Sequence, residues 1–258
     1  MLRPIWQLII LSFILISNPG SVVRAQNFRA SSTASYVDRG CEFYQKGDWE
    51  RALADFDLAI SFDPQSALAY YNRGVVRCAR QEYARALEDF DRALQLNPRL
   101  ARAWVNRSGV KYSIGDFDGA ISDATRAIEL NPRLAEAWCN RSFARLAKGD
   151  FDGVIADCTQ AIKLNPRLAG SYNNRGAARQ QKGDLDGAIS DHTQAIRLNP
   201  QMAIAWHDRG KARQAKGDFD GALADYKQAA VLATGNKDLS QTIQQQIEQV
   251  MWLQAAQQ

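Results

Sequence analysis

Residues Ala101–Leu134 read ARAWVNRSGVKYSIGDFDGAISDATRAIELNPRL, and their punctuation is that of two short helices with a stop after each. Ala101 to Ser113 contains no proline and forms the first helix. Gly115 can take the left-handed backbone conformation that ends a helix. Asp116 follows with a side chain able to cap the free N–H groups of the next one. Phe117, Ala120, Ile121, Ala124, Ala127, Ile128 and Leu130 then recur at three- and four-residue steps, the stripe of an amphipathic helix. Asn131-Pro132 closes it, because a residue before proline disfavours helical backbone.

The same punctuation recurs on both sides of this stretch. Pro64, Pro98, Pro132, Pro166 and Pro200 are 34 residues apart. So are Gly47, Gly115, Gly149, Gly183 and Gly217, with Gln81 filling one gap, and Ala59, Ala93, Ala127, Ala161, Ala195 and Ala229 keep the same step. Six repeats follow, 33–66, 67–100, 101–134, 135–168, 169–202 and 203–236, between a short leader at 26–32 and a tail at 237–258. One hairpin cannot bury its apolar face alone, so the repeats must stack and their ends need caps. The tail supplies one: Asp238 and Gln241 have capping-box spacing, and Leu239, Ile243, Ile247, Val250 and Met251 form a stripe that can cover the last hairpin.

Residues 1–25 have the layout of a secretory signal. Arg3 precedes an apolar run from Ile5 to Ile16 broken only by Gln7 and Ser12, and Val23-Arg24-Ala25 offers small residues at a cleavage site before Gln26. The alternative is a retained anchor, for which the run is short. Cleavage implies a periplasmic or secreted protein. It removes Arg3 and Arg24 and no acid, taking the formal charge from +4 to +2. That charge makes no demand for nucleic acid or an acidic membrane. Cys41, Cys78, Cys139 and Cys158 match no zinc spacing. Three full pairings are open to them in an oxidising compartment, with small apolar packing residues as the alternative.

An aromatic at position 4 of the repeat, small residues at 8, 20 and 27, and proline at 32 (Tyr70, Gly74, Ala86, Ala93 and Pro98 in the second repeat) resemble the tetratricopeptide repeat over residues 33–236. The resemblance is to exported bacterial members. It implies an all-α, right-handed superhelical solenoid of six antiparallel helix-turn-helix units, its concave face lined by the first helices and its end closed by a C-terminal capping helix.

The chain departs from that family at position 7, which is Arg39, Arg73, Arg107, Arg141, Arg175 and Arg209. Position 11 is Phe43 and then Arg77, Lys111, Arg145, Arg179 and Arg213, and position 23 is Asp55, Asp89, Asp123, Asp157, Asp191 and Asp225. Positions 7 and 11 share a helix face, with position 23 level with them on the partner helix. A structural Arg–Asp ladder is expected, including Arg73, Arg107 and Arg141 with Asp89, Asp123 and Asp157. Position 24 also varies, through Phe56, Phe90, Ala124, Cys158, His192 and Tyr226. Trp104 and Trp138 are expected to fill the space beside Ala124 and Cys158, with His192 and Cys158 as packed core residues.

The resemblance places positions 2, 5, 6, 9, 12 and 13 on the groove. These include Val37, Cys41, Tyr44, Tyr71, Val75, Cys78, Val105, Tyr112, Cys139, Phe143 and Leu146, and then a polar set of Asn173, Gln180, Gln181, His207, Lys211 and Gln214. Position 6 is Asn72, Asn106, Asn140 and Asn174, flanked by Asp38 and Asp208. An amide carries a donor and an acceptor and can pair with a peptide backbone. This row resembles the asparagine ladder in the helical repeats of the sugar transferase that modifies intracellular proteins. The other reading is a solvated polar helix surface. The carboxylate clamp for cytosolic heat-shock chaperones resembles this groove only through Asn72, since Val37, Cys41 and Asn106 stand where its other residues are expected.

These features point to an exported scaffold or assembly factor that grips an extended segment or helix of a protein partner, binding as a monomer or weak homo-oligomer, with no cofactor, no metal and no membrane contact after signal cleavage. Self-assembly is the alternative. No nucleophile lies in register with His207 and no phosphate loop is present, so an enzyme is not expected. RNA-reading hairpin arrays have a 35-residue period and a basic face, unlike this chain.

Overall fold

The computed structural model describes residues 28–235 and 237–255, with side chains from Thr33 onward; the signal segment lies outside them. All regular structure among these residues is helical. The chain divides into two compact units, with the boundary between Pro132 and Arg133.

The N-terminal unit holds three hairpins: α1 (Phe28–Gln45) with α2 (Trp49–Phe62), α3 (Ala67–Ala79) with α4 (Tyr83–Leu96), and α5 (Ala101–Ser113) with α6 (Phe117–Leu130). The C-terminal unit holds three more: α7 (Ala135–Lys148) with α8 (Phe151–Leu164), α9 (Ala169–Gln181) with α10 (Leu185–Leu198), and α11 (Ala203–Ala215) with α12 (Phe219–Leu232), then α13 (Lys237–Ala255). In each unit the second helix of one hairpin packs on the first helix of the next. No described helix is long and apolar enough to cross a membrane.

The stops act as their residue types dictate. Gly115 has φ of 88°, and the Asp116 carboxylate accepts from Gly119 N at 2.9 Å. Gln81 sits where the other repeats have glycine and is held at φ 62°, in the left-handed region that costs a side-chain-bearing residue energy. Two boundaries differ from expectation. Residues 28–32 belong to α1 rather than to a leader, because nothing between Asn27 and Thr33 stops a helix. Asp238 lies in the first turn of α13 and is not its cap; its carbonyl accepts from the Thr242 hydroxyl. Leu239, Ile243 and Val250 do face inward, joining Ala222, Tyr226, Ala229 and Ala233 in one buried cluster, so α13 covers the last hairpin.

Hairpin interiors are fitted by pairing position 8 with position 24. A Cβ at Gly40 would lie 2.7 Å from the Phe56 ring, at Gly74 2.8 Å from Phe90, at Gly176 2.8 Å from His192, and at Gly210 2.7 Å from Tyr226. Where position 24 is Ala124 or Cys158, position 8 is Ser108 or Ser142, both fully buried. The serines therefore take up the volume expected of Trp104 and Trp138. Trp104 turns instead to donate to the Pro98 carbonyl at 2.9 Å and lies under the Arg107 guanidinium, 4.6 Å from its ring centre.

Candidate functional site

The Arg and Asp rows meet as bidentate pairs. In the N-terminal unit Arg39 reaches both oxygens of Asp55 at 2.7 and 2.6 Å, Arg73 holds Asp89, and Arg107 grips Asp123 at 2.7 and 2.7 Å. In the C-terminal unit Arg141–Asp157, Arg175–Asp191 and Arg209–Asp225 repeat the geometry at 2.7 to 2.9 Å. Position 11 adds a second cation to each acid after the first: Arg77, Lys111, Arg145, Arg179 and Arg213, at 2.8 to 3.0 Å. The acids are buried, and the arginines are mostly so except Arg39, which is exposed. The five later pairs therefore act in a low-dielectric setting where removing the acid leaves a mostly buried cation short of its main partner.

One role of this row is not visible in the position 7 and 23 pattern. The position 7 arginine also reaches back to position 25 of the preceding hairpin. Arg73 meets Asp57 and Arg107 meets Asp91, each at 2.6 Å; Arg175 meets Thr159 at 3.2 Å and Arg209 meets Thr193 at 3.1 Å. Position 25 runs Asp57, Asp91, Thr125, Thr159 and Thr193, a row of acceptors that marks the contact in hindsight. The ladder therefore joins neighbouring hairpins as well as the two helices within one.

The expected groove residues divide by burial. Val37, Cys41, Tyr71, Val75, Cys78, Val105 and Cys139 are buried, several of them within the hairpin cores. Tyr44, Tyr112, Phe143 and Leu146 remain half-buried on the first-helix face. The asparagines face their neighbours more than they face outward. Asn72 donates to Cys41 Sγ at 3.5 Å, and Asn106 donates to the Tyr71 hydroxyl at 3.1 Å. Asn72 and Asn106 thus tie adjacent first helices together, a use that a pattern of exposed amides does not reveal. Asn140 and Asn174 are also buried, and Asn174 Nδ2 has no partner among the described residues.

All four cysteines are buried free thiols. Burial pushes Cys41 and Cys158 up to about 12 and Cys139 up to about 11, so each stays a protonated packing group rather than a nucleophile. His207, expected at the groove end, is buried with its Nδ1 3.2 Å from Asp208 Oδ1. Among the described residues no cluster of three His, Cys, Asp or Glu could hold a metal ion.

Tetratricopeptide repeat models match residues 67–100, 101–134, 135–168 and 173–237, and a further TPR repeat model matches 40–77. The fold is that of a helical-hairpin interaction scaffold, a class whose members are generally non-enzymatic. The chain belongs to the tetratricopeptide repeat family.

Solved structures share its fold. The Pseudomonas aeruginosa pilF protein aligns at 20% identity over 85% of this chain and 100% of its own, with a TM-score of 0.74. YrrB, described as a TPR protein with an unusual peptide-binding site, aligns at 19% identity over 74% and 97%, with a TM-score of 0.60. TTC0263, a thermophilic TPR protein of Thermus thermophilus, aligns at 24% identity over 70% and 98%, with a TM-score of 0.57. No curated protein sequence matches the chain.

Proposed function

We propose that the protein is an exported scaffold that binds an extended segment or helix of a partner protein on its first-helix faces. The observation that carries this is the half-buried rings those helices present, Tyr44 and Tyr112 in the N-terminal unit and, separately, Phe143 in the C-terminal one. A rigid ring that is half covered in the free protein gains much by being fully covered, at little cost in side-chain entropy, which is why such residues anchor interfaces. The peptide-binding site named for the fold neighbour YrrB is consistent with that use. Export rests on the signal layout of residues 1–25 and predicts a mature chain beginning at Gln26, which N-terminal sequencing of the purified native protein reads directly.

The asparagine row contributes to this function through architecture. In the N-terminal unit Asn72 and Asn106 tie together the first helices that present Tyr44 and Tyr112. The test uses wild type and a Tyr44→Ala, Tyr112→Ala variant, both confirmed as folded by circular dichroism, as baits against the exported fraction. A partner held by wild type and lost by the variant supports the proposal. A partner held equally by both moves the site off this face.

A further inference from the structure

The fifth and sixth hairpins hold four polar side chains in one connected network, with Asn173, His192 and His207 buried and Asp208 half-buried. His192 on α10 fills the ring slot that Phe56, Phe90 and Tyr226 fill in other hairpins. Asn173 on α9 and His207 on α11 stand at the position held by Val37, Tyr71, Val105 and Cys139, and Asp208 follows His207. His192 Nδ1 lies 2.9 Å from Asn173 Oδ1, Asn173 Nδ2 lies 3.1 Å from Asp208 Oδ2, and His207 Nδ1 lies 3.2 Å from Asp208 Oδ1.

The chemistry of these contacts assigns their protons. A carboxylate only accepts, so Asn173 must turn its NH2 to Asp208 and its carbonyl to His192. His192 must then donate from Nδ1. His207 donates from Nδ1 to the same carboxylate. One half-buried acid thus sets the amide orientation and both ring tautomers, and leaves each imidazole with a bare Nε2 lone pair. Both Nε2 atoms are buried without a partner among the described residues. That of His192 faces Gly176, 2.9 Å from where a Cβ would sit.

We propose that this network is an acid-sensitive joint between the fifth and sixth hairpins, in which protonation of His192 Nε2 loosens the packing of α10 on α9 and α11. A proton there creates a charge and a new N–H donor with no acceptor in reach. The groups around His192 do not offset this. On its own helix, Asp191 favours the proton but is itself paired with Arg175 and Arg179. On α11, Asp208 favours the proton while Arg209 and His207 oppose it. Burial is the largest influence and opposes the proton, so the net effect holds His192 below the ordinary imidazole value of 6.5.

The sign follows. Between the folded value and 6.5 the unfolded chain binds a proton that the folded chain refuses, so stability is lost as pH falls through that window. Burial works against ionised Asp208, but the contacts from His207, His192 and Asn173 outweigh it and hold this carboxyl below its ordinary 3.8. Its contribution is lost only at more acidic pH, so an assay near pH 5 separates it from the histidines, and His192→Phe separates His192 from His207.

Amide hydrogen exchange on the full chain, resolved by peptide and corrected for intrinsic rate, tests this at about pH 7.5 and about pH 5. Opening of the α9–α11 peptides is expected to rise several-fold at the lower pH while the α3–α5 peptides hold, and His192→Phe is expected to remove the difference. The Phe variant leaves Asn173 Oδ1 without its donor, so imidazole NMR on the wild type gives a second readout. His192 should show the Nδ1–H tautomer and titrate below 6.5. Equal protection of α9–α11 at both pH values, an acid response that survives in the Phe variant, or a His192 resonance titrating at or above 6.5 would overturn the proposal.

Discussion

At the scale of the residue, two kinds of fit hold each hairpin together. The first is volume. Gly74 leaves room for Phe90, and serine takes the glycine's place where the opposite residue is Ala124 or Cys158. Phe90→Ala alone is expected to cost about 3–4 kcal/mol in chemical unfolding of the N-terminal unit. Adding Gly74→Ser to that background should restore part of the loss, because the pair then matches the third hairpin. A double variant no more stable than the single would refute the pairing. The second fit is charge. Asp123→Ala leaves the mostly buried Arg107 with Asp91 alone and should cost about 3 kcal/mol, whereas exchanging Arg107 and Asp123 together for apolar residues of similar volume should cost less. Similar losses for the single and double exchanges would mean the acid acts through packing rather than through pairing. The Arg and Asp rows were readable from their 34-residue step. The backward reach of Arg73 and Arg107 was not, because it depends on how one hairpin sits on the next.

At the scale of the element, helix ends follow local chemistry closely, which is why most of them could be placed in advance. The proline, glycine and aspartate at each turn act through their own backbone or through a bond spanning three residues, and neither needs tertiary context. Gln81 is the exception and offers a direct check: Gln81→Gly should stabilise the N-terminal unit by roughly 0.5–1 kcal/mol by relieving a left-handed backbone, and no gain in a denaturant melt would show that the turn is not strained. Capping boxes and acidic first turns share one spacing, so the sequence around Asp238 does not separate them; the helix start at Lys237 does. The position 6 amides could be found by pattern, but their direction could not. A polar side chain on a first helix can point to a ligand or to the neighbouring helix, and the neighbour's Cys41 and Tyr71 hydroxyl decide it.

At the scale of the molecule, stability in a repeat array is a sum of hairpin and neighbour terms, so damage is expected to stay local. Deleting residues 237–258 uncovers the cluster around Tyr226 and Ala229. It should raise exchange across α11 and α12 and leave α3–α5 unchanged. Uniform loosening of the whole chain would argue for a single cooperative unit instead. The central claim, a partner held on the first-helix face, is tested most directly by placing a photo-cross-linking residue at Tyr112, and in a second variant at Ser122, which is exposed on the second helix of the same hairpin. The account predicts a partner adduct in the exported fraction from position 112 and none from position 122. An adduct from 122 alone, or equal adducts from both, would contradict it.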